Sequence, residues 1–177
     1  SKVQKLAVLG RIKLEDSTAI ITRYRRFSST LQKKTDLLLD KWAIARKELE
    51  PIITNARRKG NLGIALTQID GVPAELKAFS QISNITDTGA DLGYVLQKSD
   101  RIFQTQLVNG FDRAVDTEAK LLEEIASKLG SNTTARGAIQ LFTERAPCVS
   151  CQSVINQFRE RFPNIDLQVI DSSLYSH

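Results

Sequence analysis

The chain contains two cysteines, Cys148 and Cys151, in the stretch "PCVSC" at residues 147–151. A pair at that spacing can serve as a redox dithiol, as part of a metal site, or as two buried positions on a helix. The flanking text puts the pair where an apolar segment runs into a helix, with Cys148, Cys151, Val154, Ile155, Phe158 and Phe162 along one stripe. At the first turn of a helix, unpaired backbone N–H groups and the helix dipole favour a thiolate, the form that attacks or binds metal. Strand, Pro-Cys-x-x-Cys, helix, strand is also how a thioredoxin-like oxidoreductase presents its dithiol. That module needs a further hairpin and helix and a proline packed on the dithiol. Only 26 residues follow Cys151, and their one proline, Pro163, falls in the next turn.

The metal reading requires a third protein ligand. The single histidine is the terminal His177, where fraying is expected, so histidine-bearing zinc sites and histidine-based triads are disfavoured. A carboxylate oxygen binds zinc at a distance similar to that of imidazole nitrogen. The strongest candidate is Asp116, which opens another helix two residues before Glu118. Aspartate is also a favoured helix N-cap, and the two roles are compatible.

Two helix starts need a frame to bring them together. "DTEAKLLEEIASKLG" sets Leu121, Leu122, Ile125, Ala126 and Leu129 on one face and stops at Gly130. "GAIQLFTE" reads as a strand, "CVSCQSVINQFRERF" as a helix, and "IDLQVID" after Pro163 as another strand. Upstream, "GNLGIALTQIDGVPAELKAFSQIS" holds two apolar runs, 62–69 and 76–82, separated by Asp70, Gly71 and Pro73, the signature of a hairpin. Residues 83–112 are polar, weakly patterned and carry three glycines, as functional loops often do. Residues 1–56 read as two or three helices, with Leu37, Leu38, Trp42 and Ala45 in helical spacing and a break at Pro51. From residue 60 the order is β, β, α, β, α, β. It predicts an α/β fold with a mixed sheet of about four to five strands and packed helices, preceded by a helical segment.

With 177 residues and 41% apolar composition the chain can build one ordinary core, and no apolar run approaches the roughly 20 residues of a membrane span. It begins at Ser1, has no methionine and shows no signal-peptide pattern, which reads as a piece of a larger polypeptide. The net charge of +5 is uneven: residues 1–60 hold 15 Lys/Arg against 6 Asp/Glu, and the remainder 10 against 14. The clusters "RYRR" at Arg23 to Arg26 and "RRK" at Arg57 to Lys59 would attract phosphate backbones or an acidic partner, or form a solvated helix face.

An acceptor residue, one spacer and a glutamate at one helix start, then Pro-Cys-x-x-Cys at the next, resembles the zinc-dependent nucleoside and nucleic-acid deaminases. The text over about residues 60–171 is similar to the bacterial toxin deaminases at the C-terminal tips of polymorphic secreted toxins, a branch in which aspartate can take the first ligand position. The resemblance implies a cytidine-deaminase-like catalytic domain at 59–177 behind a basic helical segment at 1–58. It implies Zn2+ held by Asp116, Cys148 and Cys151, with Glu118 moving protons from a desolvated pocket, while Glu123 and Glu124 are expected on the solvated surface. It further implies cytosine-to-uracil conversion on single-stranded DNA, with RNA a second candidate substrate. Tyr94, Phe103 and Phe111 are candidate stacking faces, and Arg113, Arg136 and Arg145 candidate phosphate contacts. The implied setting is a monomeric domain secreted within a larger toxin, acting in the cytoplasm of a rival bacterium and answered in the producer by a cognate immunity protein. The alternatives are the thioredoxin-like oxidoreductase and a non-catalytic, zinc-containing nucleic-acid-binding module.

Overall fold

A computed structural model of the chain describes residues 6, 17–52, 60–113 and 116–177. The expected division at 58/59 and the basic cluster Arg57 to Lys59 lie outside them. Two N-terminal helices, α1 (Ser17–Arg25) and α2 (Ser29–Leu49), precede strands β1 (Leu62–Gln68) and β2 (Glu75–Phe79). A small pair, β3 (Leu107–Val108) and β4 (Phe111–Asp112), leads to α3 (Thr117–Leu129), β5 (Gly137–Thr143), α4 (Val149–Arg161) and β6 (Ile165–Asp171). The main sheet has the order β2-β1-β5-β6, with β1 antiparallel to both neighbours and β5 parallel to β6 through the α4 crossover. This is the expected mixed α/β arrangement.

Period-two alternation divides the strand side chains between two cores. Ala65, Ile139, Leu141, Leu167 and Val169 pack with Leu121, Leu122, Ile125, Val154, Ile155 and Phe158 from α3 and α4. On the opposite face Leu62, Ile64 and Phe142 meet Leu38, Leu39, Trp42, Ala45 and Leu49 of α2. The long helix is therefore a layer of the fold. A third, smaller cluster joins Ile20 of α1 to Ile170 and Leu174.

The weakly patterned segment is held by side chains rather than by a sheet. Glu123 of α3 accepts the Ile102 and Phe103 N–H groups at 3.0 and 2.6 Å, and Gln157 and Ser150 of α4 accept those of Gln104 and Gln106 at 3.0 and 2.9 Å. Glu123, expected on the solvated surface, is thus buried, because loop amides without a strand partner still need an acceptor. Glu124 is half-buried and pairs with Lys98 at 2.6 Å. Asn109 and Gly110 both take positive φ (53° and 80°), the requirement of the tight turn joining β3 to β4. His177, expected to fray, is packed: its N–H reaches Val169 O at 2.8 Å, and its ring nitrogens lie 3.0 Å from Asp171 Oδ2 and Gln152 Nε2.

Registers align Gly63 with Thr143 and Thr143 with Asp171, so the start of β1 and the C-terminal ends of β5 and β6 share one edge. The α3 start crosses that edge over Gly63, where an added Cβ would sit 2.4 Å from Thr117 Cγ2 and 3.2 Å from Phe142 O. Gly63→Ala should therefore destabilise the protein by about 1–3 kcal/mol through overpacking, measured by urea denaturation.

Candidate active site

Asp116 occupies the N-cap position of α3, and Cys148 that of α4. Neither makes a side-chain capping bond; instead the two helix starts face one another. Asp116 Oδ2 lies 3.5 Å from Cys148 Sγ and 3.4 Å from Cys151 Sγ. One ligand atom from each of these three residues falls within 4.8 Å of the others, a grouping that could hold a metal ion.

Glu118 sits in the first turn of α3, 3% exposed. Its Oε2 accepts from the Cys151 thiol at 3.3 Å, and its Oε1 from the Thr143 hydroxyl at 2.6 Å. Burial holds the Glu118 carboxyl above its ordinary range, while the bonds from Thr143 and Cys151 pull it partly back. Burial, and then the neighbouring Glu118 and Asp116 carboxylates, push the Cys151 thiol up. A carboxyl with raised proton affinity, one oxygen anchored and the other against Cys151, is equipped to accept and return a proton.

Two participants carry no periodic or motif signal in the sequence. Asn61, just before β1, reaches Thr143 Oγ1 at 2.8 Å and Glu118 Oε1 at 3.4 Å through Nδ2, and its Oδ1 accepts the Arg145 N–H at 3.1 Å. Its carbonyl accepts from the Thr117 hydroxyl at 2.6 Å. Asn61 therefore ties together the starts of β1 and α3 and the β5–α4 loop. Lys120 lies beneath, its Nζ held by the Phe79 and Ile82 carbonyls at 2.6 and 2.7 Å, and burial pushes its pKa down to about 8.

The cleft above these groups has a volume of about 270 Å³, and Asn61, Arg113, Asp116, Glu118, Arg145, Cys148 and Cys151 are among its walls. Arg113 and Arg145 thus stand at the cleft. Arg136 precedes β5 at its far end from Thr143. Phe103 packs against Phe158, with ring centroids 5.9 Å apart, and Tyr94 is buried with the α2 core; neither ring lines the cleft. The side chain of Phe111 lies outside the description.

Residues 47–173 match the Toxin-deaminase profile, "The BURPS668_1122 family of deaminases". The chain belongs to this family of toxin deaminases. No curated protein matches it. Membership makes it a hydrolytic deaminase of toxin type, and the matched segment of this toxin deaminase contains both helix starts and all four sheet strands. Among its described residues, no helix is long and apolar enough to cross a membrane.

Next to Thr143, Glu144 of the deaminase turns to the other face of the sheet. It accepts the Leu62 N–H at 2.7 Å and pairs with Arg46 of α2 at 3.6 Å, both side chains fully buried. Burial raises Glu144 from 4.5 to about 7 despite Arg46. A folded state that binds this proton more tightly than the unfolded chain gains most stability below pH 4.5 and loses it as pH rises towards 7. Denaturation should show a loss of stability over that window that is about 3 kcal/mol smaller in Glu144→Gln than in the wild type.

Proposed function

We propose that this domain is a zinc-dependent cytosine deaminase converting C to U in single-stranded DNA. It would be delivered as the C-terminal toxin domain of a secreted antibacterial effector, act as a monomer in the target cell's cytoplasm, and be countered by an immunity protein in the producer. The carrying observation is the buried Glu118 carboxyl set against Cys151 beside two further potential ligands, Asp116 and Cys148. Around a tetrahedral zinc with Zn–S of about 2.3 Å and Zn–O of about 2.1 Å, sulfur and oxygen ligands stand about 3.6 Å apart. The observed separations of 3.4 and 3.5 Å fit that spacing. Asp116, Cys148 and Cys151 would hold the ion. Zinc bound there supplies an activated water for attack at C4 of cytosine.

The chain's own residues do the rest. Glu118 Oε2, the oxygen not held by Thr143, would take one proton of the attacking water and deliver it to the ring nitrogen, then take the second from the hydroxyl added at C4 and pass it to the amine, which leaves as ammonia. Thr143 and Asn61 fix the carboxyl's rotamer. Arg145 at the rim suits a phosphate, and a cleft of about 270 Å³ suits one unstacked base rather than a duplex.

Sequencing of single-stranded DNA, RNA and duplex DNA after incubation tests the reading, with C-to-U changes expected foremost in single-stranded DNA. Unchanged bases beside bound zinc would leave a binding module. A zinc-free protein whose cysteines cycle through a disulfide would leave an oxidoreductase. Glu118→Ala should lower uracil formation at least about a hundredfold while zinc stays at one equivalent by metal analysis. Asp116→Ala and Cys148→Ser should each lose the zinc; full retention in the aspartate variant would remove Asp116 from the ligand set.

A further inference from the structure

Three anionic ligands around one divalent cation leave a surplus negative charge, and Glu118 adds another carboxyl against the same sulfur, Cys151. A centre so composed needs a cation at its back. Arg113 is placed to supply one: its Nε lies 3.2 Å from Asp116 Oδ2, the oxygen that faces both cysteines. The Nε atom is itself buried, and its N–H points off the oxygen. The contact is therefore that of a charge rather than of a directed hydrogen bond.

Arg113 is also fixed from both sides. The Asp116 N–H bonds the Arg113 carbonyl at 3.1 Å, folding the arginine back over its partner. The Arg113 N–H reaches Gln106 O at 3.4 Å, and the Gln106 N–H is held at 2.9 Å by Ser150, which lies between the two cysteines. A chain of contacts thus runs from the cysteine turn through the β3–β4 pair to Asp116. Among the other cations close by, Lys120 has its ammonium committed to two carbonyls, and Arg145 lies on the cleft wall.

We propose that Arg113 is the charge-balancing and positioning residue of the metal centre, holding Asp116 Oδ2 towards the two cysteines, rather than a phosphate contact. The assignment rests on the zinc reading above. It makes zinc affinity depend most on the arginine while the first ligand is an anion, with the Cys148 thiol, which the guanidinium also meets, as its second partner.

Chelator competition with zinc alone reads this directly. Arg113→Gln should weaken zinc binding about 10- to 100-fold, the usual effect of removing a group that supports a metal ligand. Arg113→Lys should keep most of the affinity. In an Asp116→His background, where the ligand is neutral, adding Arg113→Gln should weaken affinity clearly less than it does in the wild type. Melting temperatures of the zinc-free Arg113 variants should match the wild type. Wild-type zinc affinity in Arg113→Gln, with weaker single-stranded DNA binding, would make Arg113 a phosphate contact and overturn the proposal. Equal weakening in both backgrounds would reduce it to a structural residue and overturn it as well. Should the histidine variant fail to fold, the comparison of Gln with Lys decides. A wild-type protein that takes up no zinc overturns the zinc reading itself, a result distinct from all of these.

Discussion

A carboxyl group removed from water must receive hydrogen-bond donors or give up its charge. That constraint at Glu118 organises this molecule. Its donors come from the end of β5, from the segment before β1 and from the first turn of α4, so satisfying one side chain sets three pieces of backbone relative to α3. The missing side chain at Gly63 lets α3 approach closely enough for this to happen. Thr117, the residue that presses on that glycine, bonds Asn61 in turn, and steric fit and polar satisfaction reinforce one another.

The opposite face of the sheet mirrors this requirement. Glu144 needs donors as Glu118 does, and finds the Leu62 N–H and Arg46. Because the Glu144 N–H also bonds the Leu62 carbonyl at 3.2 Å, β1 and β5 stay tied one residue beyond the ladder, beside Thr143 and Asn61. Removing only one member of the Arg46–Glu144 pair would strand a buried charge, generally a more costly change than replacing both. The face that carries the candidate site is in this way braced by a helix that lies mostly ahead of the segment defining the family.

Much of the frame is legible in the sequence, because its signals are local. Asp70, Gly71 and Pro73 announce the hairpin, Gly130 and Pro163 stop the two helices, and the apolar stripe of α3 fixes which way it faces. The two helix starts can be read as partners because "DTE" and "PCVSC" place chemically matched groups at equivalent positions. What stays hidden depends on contacts between distant segments. Asn61 and Thr143 are polar residues at strand ends, and nothing nearby marks them. Phe103 in a polar stretch could stack a base or join the core, and the Glu123 carboxylate draws its backbone in and seats the ring on Phe158. The place of α2 in the fold follows from Leu62, Ile64 and Phe142, whose shared face exists only once the sheet is built.

β5 is the hub of the sheet, antiparallel to β1 on one side and parallel to β6 on the other. Pairing β1 with β5 joins residues 70 to 80 positions apart in sequence, a separation that makes the contact slow to form. Asp116 and the two cysteines flank this strand in sequence, and they meet only after it is inserted. An unfolded or partly folded chain therefore has no assembled site. The grouping is a property of the folded domain alone, and heat or denaturant that withdraws the central strand separates all three residues at once.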